Sequence, residues 1–170
     1  MKLIKTYHSD FLNGDGMREV LFFSGCTNKC PGCFNSETWD PNMSKATEWC
    51  ETDWKNLKIE LEKSWISGVT LTGGDPFSVW NRDEILDLCK RIKTEIPNKS
   101  IWIYTGYVWE IILKNNDSRK KCLEYIDVLC DGPYKEELKS PKKLWVGSKN
   151  QRVIDVQKSL KFNKIILYCN

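Results

Sequence analysis

Short apolar runs alternate along the chain with longer stretches in which hydrophobic residues recur every three or four positions. The runs are typical of strands buried on both faces, and the recurrence is typical of helices that cover a sheet. Strands are predicted at 19–23, 69–72, 101–104, 126–130 and 164–168. Helices are predicted at 52–65, 85–96 and 109–124, the first ending before Gly68 and the second before Pro97.

Strands that are separated by helix-length segments indicate right-handed βαβ units and a parallel sheet. Closure into eight such units usually takes more than about 200 residues, and this chain has 170. The sequence therefore predicts one α/β domain over residues 1–170. Its expected form is an open or partial (β/α) barrel with a mainly parallel sheet of about five strands.

Composition narrows the class of protein only modestly. The chain carries 26 basic and 23 acidic side chains, and its net charge of +3 is too balanced to indicate a nucleic acid partner. No apolar run approaches the roughly 20 residues that span a bilayer, so no membrane association is expected. Residues 1–12 have neither the apolar core nor the cleavage site of a secretory leader. This predicts a cytoplasmic protein with reduced cysteines.

Three cysteines, Cys26, Cys30 and Cys33, stand on the short segment that follows the first predicted strand. An iron–sulfur cube needs a ligand for each of its four irons, so three thiolates leave one iron open to a substrate. The alternative is a structural zinc knuckle, completed by His8 or by a distant cysteine. The other cysteines are scattered singly, at Cys50, Cys89, Cys122, Cys130 and Cys169. This spacing favours the cluster over zinc.

A Gly-Gly-Asp loop, Gly73 to Asp75, follows the second predicted strand. Adjacent glycines let a backbone approach a ligand closely, and the carboxylate of Asp75 is suited to receive a cationic amine. Alone, the sequence is also that of an ordinary turn. Because functional loops cluster at the carboxyl ends of parallel strands, we expect this loop and the cysteines to form one composite site.

The C-x3-C-x2-C spacing after one strand and the Gly-Gly-acid loop after the next resemble the radical S-adenosylmethionine superfamily. Within it, the chain resembles the activating proteins of glycyl radical enzymes, most closely the family that activates anaerobic ribonucleoside-triphosphate reductase. The stretches that carry this narrower resemblance are 13–18, 34–35, 70–76 and 147–152. Three positions depart from the superfamily pattern. Gly32 stands where an aromatic residue is common, Asp75 stands where Glu is frequent, and Asp15 stands where the motif before the first strand often has proline.

The resemblance implies an activase that binds a 4Fe-4S cluster and S-adenosylmethionine. Such proteins cleave the cofactor reductively and use the 5′-deoxyadenosyl radical to generate a glycyl radical on the large subunit of the reductase. A flavodoxin-like protein is the implied electron donor. Because the cluster and the cofactor carry the chemistry, no side chain is assigned a catalytic role.

The resemblance also implies a role for particular residues. The three cysteines of the first loop hold the cluster. Gly73, Gly74 and Asp75 hold the methionine part of the cofactor, whereas the backbone around Gly32 and the ring of Phe34 lie beside the adenine.

Three alternative functions remain open at this point. Two share the radical chemistry: an activator of another glycyl radical enzyme such as pyruvate formate-lyase, and a small-molecule radical enzyme of the deazaguanine-synthase type. The third is a non-enzymatic iron–sulfur electron carrier, a class that normally holds its cluster with four protein ligands. The residues assign no role to Asp131 or to Asn150, Gln151 and Arg152.

Overall fold

The computed structural model describes residues 1–169, which form one mixed sheet with helices packed against it. The strands are β1 (Lys2–Asp10), β2 (Arg18–Phe23), β3 (Thr47–Glu48), β4 (Gly68–Gly73), β5 (Ser100–Tyr104), β6 (Val128–Asp131) and β7 (Arg152–Asp155). The α-helices are α1 (Glu51–Glu62), α2 (Arg82–Glu95), α3 (Trp109–Lys114), α4 (Ser118–Cys122) and α5 (Val156–Phe162). The strand order is β3-β1-β2-β4-β5-β6-β7, with β3 and β7 at the edges, so the sheet is not closed.

The predicted α/β class is confirmed, but the predicted sheet is wrong in two respects. It has seven strands within residues 1–169 rather than about five, and it is mixed rather than mainly parallel. β2, β4, β5 and β6 are parallel to one another. β1 runs antiparallel to β2 and to β3, and β7 runs antiparallel to β6. These four parallel strands correspond to the first four strands predicted from the apolar runs.

The segment 164–168 is not the strand that its apolar residues predicted. It makes only an isolated bridge, between Leu167 and Ile154. The edge position is filled by β7, in which Val153 pairs with Cys130 and Ile154 pairs with Leu129. The predicted helix at 109–124 is also divided, because the side chain of Asp117 accepts a hydrogen bond from the Arg119 N–H and begins α4 as a new helix.

The strands present alternate residues to two different environments. One face carries the main hydrophobic core, in which Leu21, Leu71 and Ile103 pack with the apolar sides of α1 and α2. The other face carries a smaller cluster around Trp102, Val128, Cys130, Val146 and Val153. No helix within residues 1–169 is both long and apolar enough to cross a membrane.

A buried arginine closes the second face at the amino end of β2. Arg18 donates from Nε to Thr70 Oγ1 at 2.7 Å and from Nη2 to the Val69 carbonyl at 2.7 Å, and its guanidinium lies 5.1 Å from the Trp102 ring. Burial lowers the pKa of Arg18 to about 10, so the side chain remains charged at neutral pH. Because Arg18 fills this end, the open space on the second face lies toward the carboxyl ends of the strands.

Candidate functional site

A cavity of about 440 Å³ lies at the carboxyl ends of the parallel strands. Its volume is in the range of pockets that hold small-molecule ligands, roughly 300–1,000 Å³. The residues predicted from the sequence that line it are Cys26, Cys30, Gly32, Cys33, Phe34, Gly73 and Gly74. The expected composite site is therefore present as a shared cavity, and Asp75 is the one predicted residue that does not line it.

The cysteine loop is held by backbone hydrogen bonds at its first and its last cysteine. Cys26 N–H donates to the Trp39 carbonyl at 3.1 Å, and Cys33 N–H donates to the Cys30 carbonyl at 3.1 Å, which forms a turn. Gly32, within this turn, has a φ of +69°, a conformation that favours glycine. Cys26 is buried, whereas the other two cysteines are half-buried. The loop thus presents three thiols along one wall of the cavity.

His8, the proposed fourth zinc ligand, does not accompany the cysteine loop. Within residues 1–169, its ring lies beside Glu19 and Glu60 instead. The structure therefore disfavours a zinc knuckle that is completed by His8.

Burial keeps two of these cysteines protonated in the absence of a cation. It raises the pKa of the Cys26 thiol, and the nearby charge of Asp75 raises it further, whereas the N–H groups of Asn28 and Lys29 act in the opposite direction. Burial also raises the pKa of Cys30. A bound metal ion reverses this balance, because its positive charge stabilises the thiolate form. The loop is thus suited to bind a cationic metal group rather than to present free thiolates.

Asp75 lies behind the cavity wall and joins three loops. Its carboxylate accepts hydrogen bonds from Thr105 Oγ1 at 2.8 Å, Gly106 N–H at 3.0 Å, Phe77 N–H at 2.9 Å and Asn28 Nδ2 at 3.2 Å. Burial raises the pKa of Asp75 to about 6, although these hydrogen bonds favour the charged form. The side chain therefore positions the loops around the cavity, and its direct contact with a cofactor stays a prediction.

The two glycines of the loop pack against the cysteine loop. Gly74 N–H donates to the Phe23 carbonyl at 2.7 Å, and Gly73 has a φ of +99°. A Cβ atom added to Gly74 would lie 2.7 Å from the carbonyl oxygen of Gly25, which is closer than real Cβ atoms come. Glycine at position 74 is thus required by the backbone that leads into Cys26, in addition to any ligand.

Asn28 is a site residue that the sequence reasoning missed. Its Nδ2 donates to Cys26 Sγ at 3.7 Å and to Asp75 Oδ2 at 3.2 Å, so it connects the cysteine loop to the Gly-Gly-Asp loop. The sequence offered one signal for this role, which is the position of Asn28 between Cys26 and Cys30. It does not reveal the direction of the side chain.

The late motif at 150–152 helps to fold a segment that covers the cavity. Gln151 Oε1 accepts from the N–H groups of Gly147 and Ser148, and Gln151 Nε2 donates to the Gly132 carbonyl at 3.0 Å. Asn150 Nδ2 donates to the Pro133 carbonyl at 2.8 Å. These contacts fold residues 132–151 back on themselves beside the cavity.

Asp131 and Arg152 make structural contacts at the end of β6. Asp131 is fully buried and accepts from the Trp109 N–H at 2.7 Å and from Arg152 Nε at 2.9 Å. Arg152 also forms a two-pronged ion pair with Glu110, at 2.9 Å for each contact. Both residues therefore attach α3 to the edge of the sheet.

Comparison with known proteins identifies the same region. A family model described as a 4Fe-4S single cluster domain matches residues 12–154, which include the three cysteines and the Gly-Gly-Asp loop. The chain is 44% identical over 153 residues to the anaerobic ribonucleoside-triphosphate reductase-activating protein of Enterobacteria phage T4, covering 90% of this chain and 93% of that protein. It is 38% identical over 156 residues to the protein of the same name from Pasteurella multocida (strain Pm70), covering 89% and 95%. It is 39% identical over 152 residues to that of Escherichia coli (strain K12), covering 86% and 94%.

Proposed function

The chain belongs to the family of anaerobic ribonucleoside-triphosphate reductase-activating proteins, and from this premise we propose that it generates a glycyl radical on the large subunit of such a reductase. It acts as a radical S-adenosylmethionine enzyme whose functional unit is the single domain of residues 1–170. The observation that carries the proposal is the shared cavity, in which the cysteine loop and the Gly-Gly loop form adjoining walls.

The donor set fits an iron–sulfur cluster. Cys26, Cys30 and Cys33 are soft thiolate ligands on one loop, and all three line the cavity. In the proposal, these three residues hold a 4Fe-4S cluster at three irons. One iron would then have no protein ligand, which is the condition for binding a small molecule directly.

The cavity also fits S-adenosylmethionine. When bound, the cluster and this cofactor supply one-electron cleavage and a 5′-deoxyadenosyl radical that abstracts hydrogen. In the proposal, Gly73 and Gly74 hold the methionine part through their backbone, and both line the cavity. Gly32 and the Phe34 ring lie beside the adenine in the proposal, and Phe34 is 97% exposed and thus free to stack on a base. Asp75 fixes this wall from behind through its four hydrogen bonds.

The protein contributes shielding and access. Residues 132–151 lie beside the cavity and reduce contact between a reactive species and water. We propose that the open sheet acts as a partial barrel, which leaves a lateral path for the loop of the reductase that carries the glycine. A flavodoxin-like protein in the cytoplasm is the proposed electron donor.

A cofactor-cleavage assay tests this assignment. Anaerobic, reconstituted protein is incubated with dithionite and S-adenosylmethionine, and methionine and 5′-deoxyadenosine are quantified by chromatography. We expect equimolar release of the two products. The matched control is the Cys30→Ala variant under the same conditions. A wild-type protein that takes up and transfers electrons without releasing either product would instead be an iron–sulfur electron carrier, and the proposal would fail.

We also expect Asn28→Ala to lower the midpoint potential of the cluster by tens of millivolts. The side chain donates a hydrogen bond to Cys26 Sγ, and a donor to sulfur stabilises the reduced, more negative cluster. A redox titration followed by electron paramagnetic resonance measures the potential. Asn35→Ala is the control, because Asn35 lines the same cavity and its side chain donates to no cysteine sulfur within residues 1–169. Equal potentials for wild type and Asn28→Ala would show that this hydrogen bond has no influence.

A further inference from the structure

A second group of metal-ligating side chains lies on the opposite face of the sheet from the cavity. His8 of β1, Glu19 of β2 and Glu60 of α1 bring their ligand atoms within 4.8 Å of one another. They line a separate cavity of about 320 Å³, to which Asp53 and Asn56 also contribute. Three elements distant in sequence thus converge on a pocket that the proposed radical chemistry does not use.

The buried carboxylate of this group has no partner with a permanent positive charge. The Glu19 side chain is completely buried, and its one ion-pair partner within residues 1–169 is His8, whose Nδ1 lies 2.6 Å from Glu19 Oε2. Among the described residues, the other hydrogen bond to the Glu19 carboxylate comes from the Ser9 N–H at 3.1 Å. Lys63 pairs with Glu60 and not with Glu19. A nearby cation would stabilise the buried charge of Glu19.

The backbone of β1 directs the histidine toward this group. The pairing of β1 with β2 is irregular between Tyr7 and Asp10, and Ser9 has a φ of +53°. Such irregularities in a strand re-aim neighbouring side chains. The His8 side chain remains 61% exposed, so the pocket is accessible to an ion from solvent.

We propose that His8, Glu19 and Glu60 bind one divalent first-row transition metal ion. One imidazole and two carboxylates form a mixed nitrogen and oxygen set that suits Mn²⁺, Fe²⁺ or Zn²⁺. The ion adds a permanent positive charge beside the buried Glu19 carboxylate and joins β1, β2 and α1 at a distance from the cysteine loop. Water, Asp53 or Asn56 is available to complete the coordination.

Manganese is the suitable probe, because it prefers oxygen and nitrogen ligands and binds weakly to the cysteine thiolates. Cluster-loaded, full-length protein is titrated with Mn²⁺, and the free ion is measured by room-temperature electron paramagnetic resonance. We expect one Mn²⁺ per chain to bind saturably. His8→Gln and Glu60→Gln should each weaken binding at least tenfold, because each removes a ligand. Glu124→Gln, which removes an exposed carboxylate elsewhere, should leave the affinity unchanged.

A second measurement needs no variant. His8 is the only histidine of the chain, so its imidazole proton signals are identified without ambiguity in the nuclear magnetic resonance spectrum of the wild type. We expect substoichiometric Mn²⁺ to broaden these signals selectively. Sharp imidazole signals at one equivalent of Mn²⁺, or equal affinities in wild type and both ligand variants, would overturn the proposal. His8 and Glu19 would then form an ordinary ion pair, with an adventitious ion only at the surface.

Discussion

Replacement of any one of Cys26, Cys30 and Cys33 by alanine is expected to abolish assembly of a stable cluster. Each thiolate would hold one iron, and the two that remain cannot keep a cube on the protein. Cluster assembly is measured as iron and acid-labile sulfide per chain after anaerobic reconstitution. We expect the wild type to approach four of each and the three variants to approach none.

The other cysteines provide the controls for this experiment. They are Cys50, Cys89, Cys122, Cys130 and Cys169. Cys89, Cys122 and Cys130 are buried in the apolar clusters and behave as small hydrophobic residues, so their alanine variants should retain iron while losing some stability. Loss of the cluster in any of these five variants, with the fold retained, would indicate a fourth protein ligand. That result would contradict the open iron on which the proposed function depends.

Gly74→Ala is expected to weaken the binding of S-adenosylmethionine by about tenfold or more, equivalent to at least about 1.4 kcal/mol. The added Cβ would lie 2.7 Å from the Gly25 carbonyl oxygen, so the backbone that precedes Cys26 must move. Both walls of the cavity then shift relative to each other. Binding is measured by the change that the cofactor causes in the paramagnetic resonance spectrum of the reduced cluster.

The control for this variant lies on the same strand. A Cβ atom at Gly68, the first residue of β4, would lie 2.0 Å from the Ser100 carbonyl oxygen, at the end of the sheet away from the cavity. Gly68→Ala should therefore destabilise the protein without changing the affinity of the folded fraction for the cofactor. If both variants bind S-adenosylmethionine as tightly as the wild type, the Gly-Gly loop has only a structural role.

The central strands could be predicted from the sequence because their apolar residues are contiguous. β2 is buried at every position, so its pattern alone identifies it. β1 was missed because none of its residues is fully buried, and its pairing with β2 places it in the sheet instead. The apolar segment 164–168 was predicted as a strand, but β7 occupies the edge of the sheet beside β6. The apolar run of β7 is too short to identify it as a strand from the sequence.

The cavity was predictable from loop positions, whereas the orientation of its side chains was not. Cys26 and Gly74 follow neighbouring parallel strands, and the carboxyl ends of such strands meet at one edge of the sheet. The carboxylate of Asp75, however, does not line the cavity, because it binds donors at Thr105 and Gly106, which follow β5 and lie some 30 residues later. Contacts between residues so distant in sequence leave no local pattern.

The measurement that tests the proposed function most directly is detection of a glycyl radical on the partner. The reconstituted protein is mixed anaerobically with reductant, S-adenosylmethionine and the large subunit of an anaerobic ribonucleoside-triphosphate reductase, and the mixture is examined by electron paramagnetic resonance. We predict a carbon-centred doublet on the reductase, formed in step with 5′-deoxyadenosine and lost when the radical-bearing glycine of the reductase is replaced by alanine. A doublet that forms equally well on pyruvate formate-lyase, or cofactor cleavage with no radical on the reductase, would contradict it.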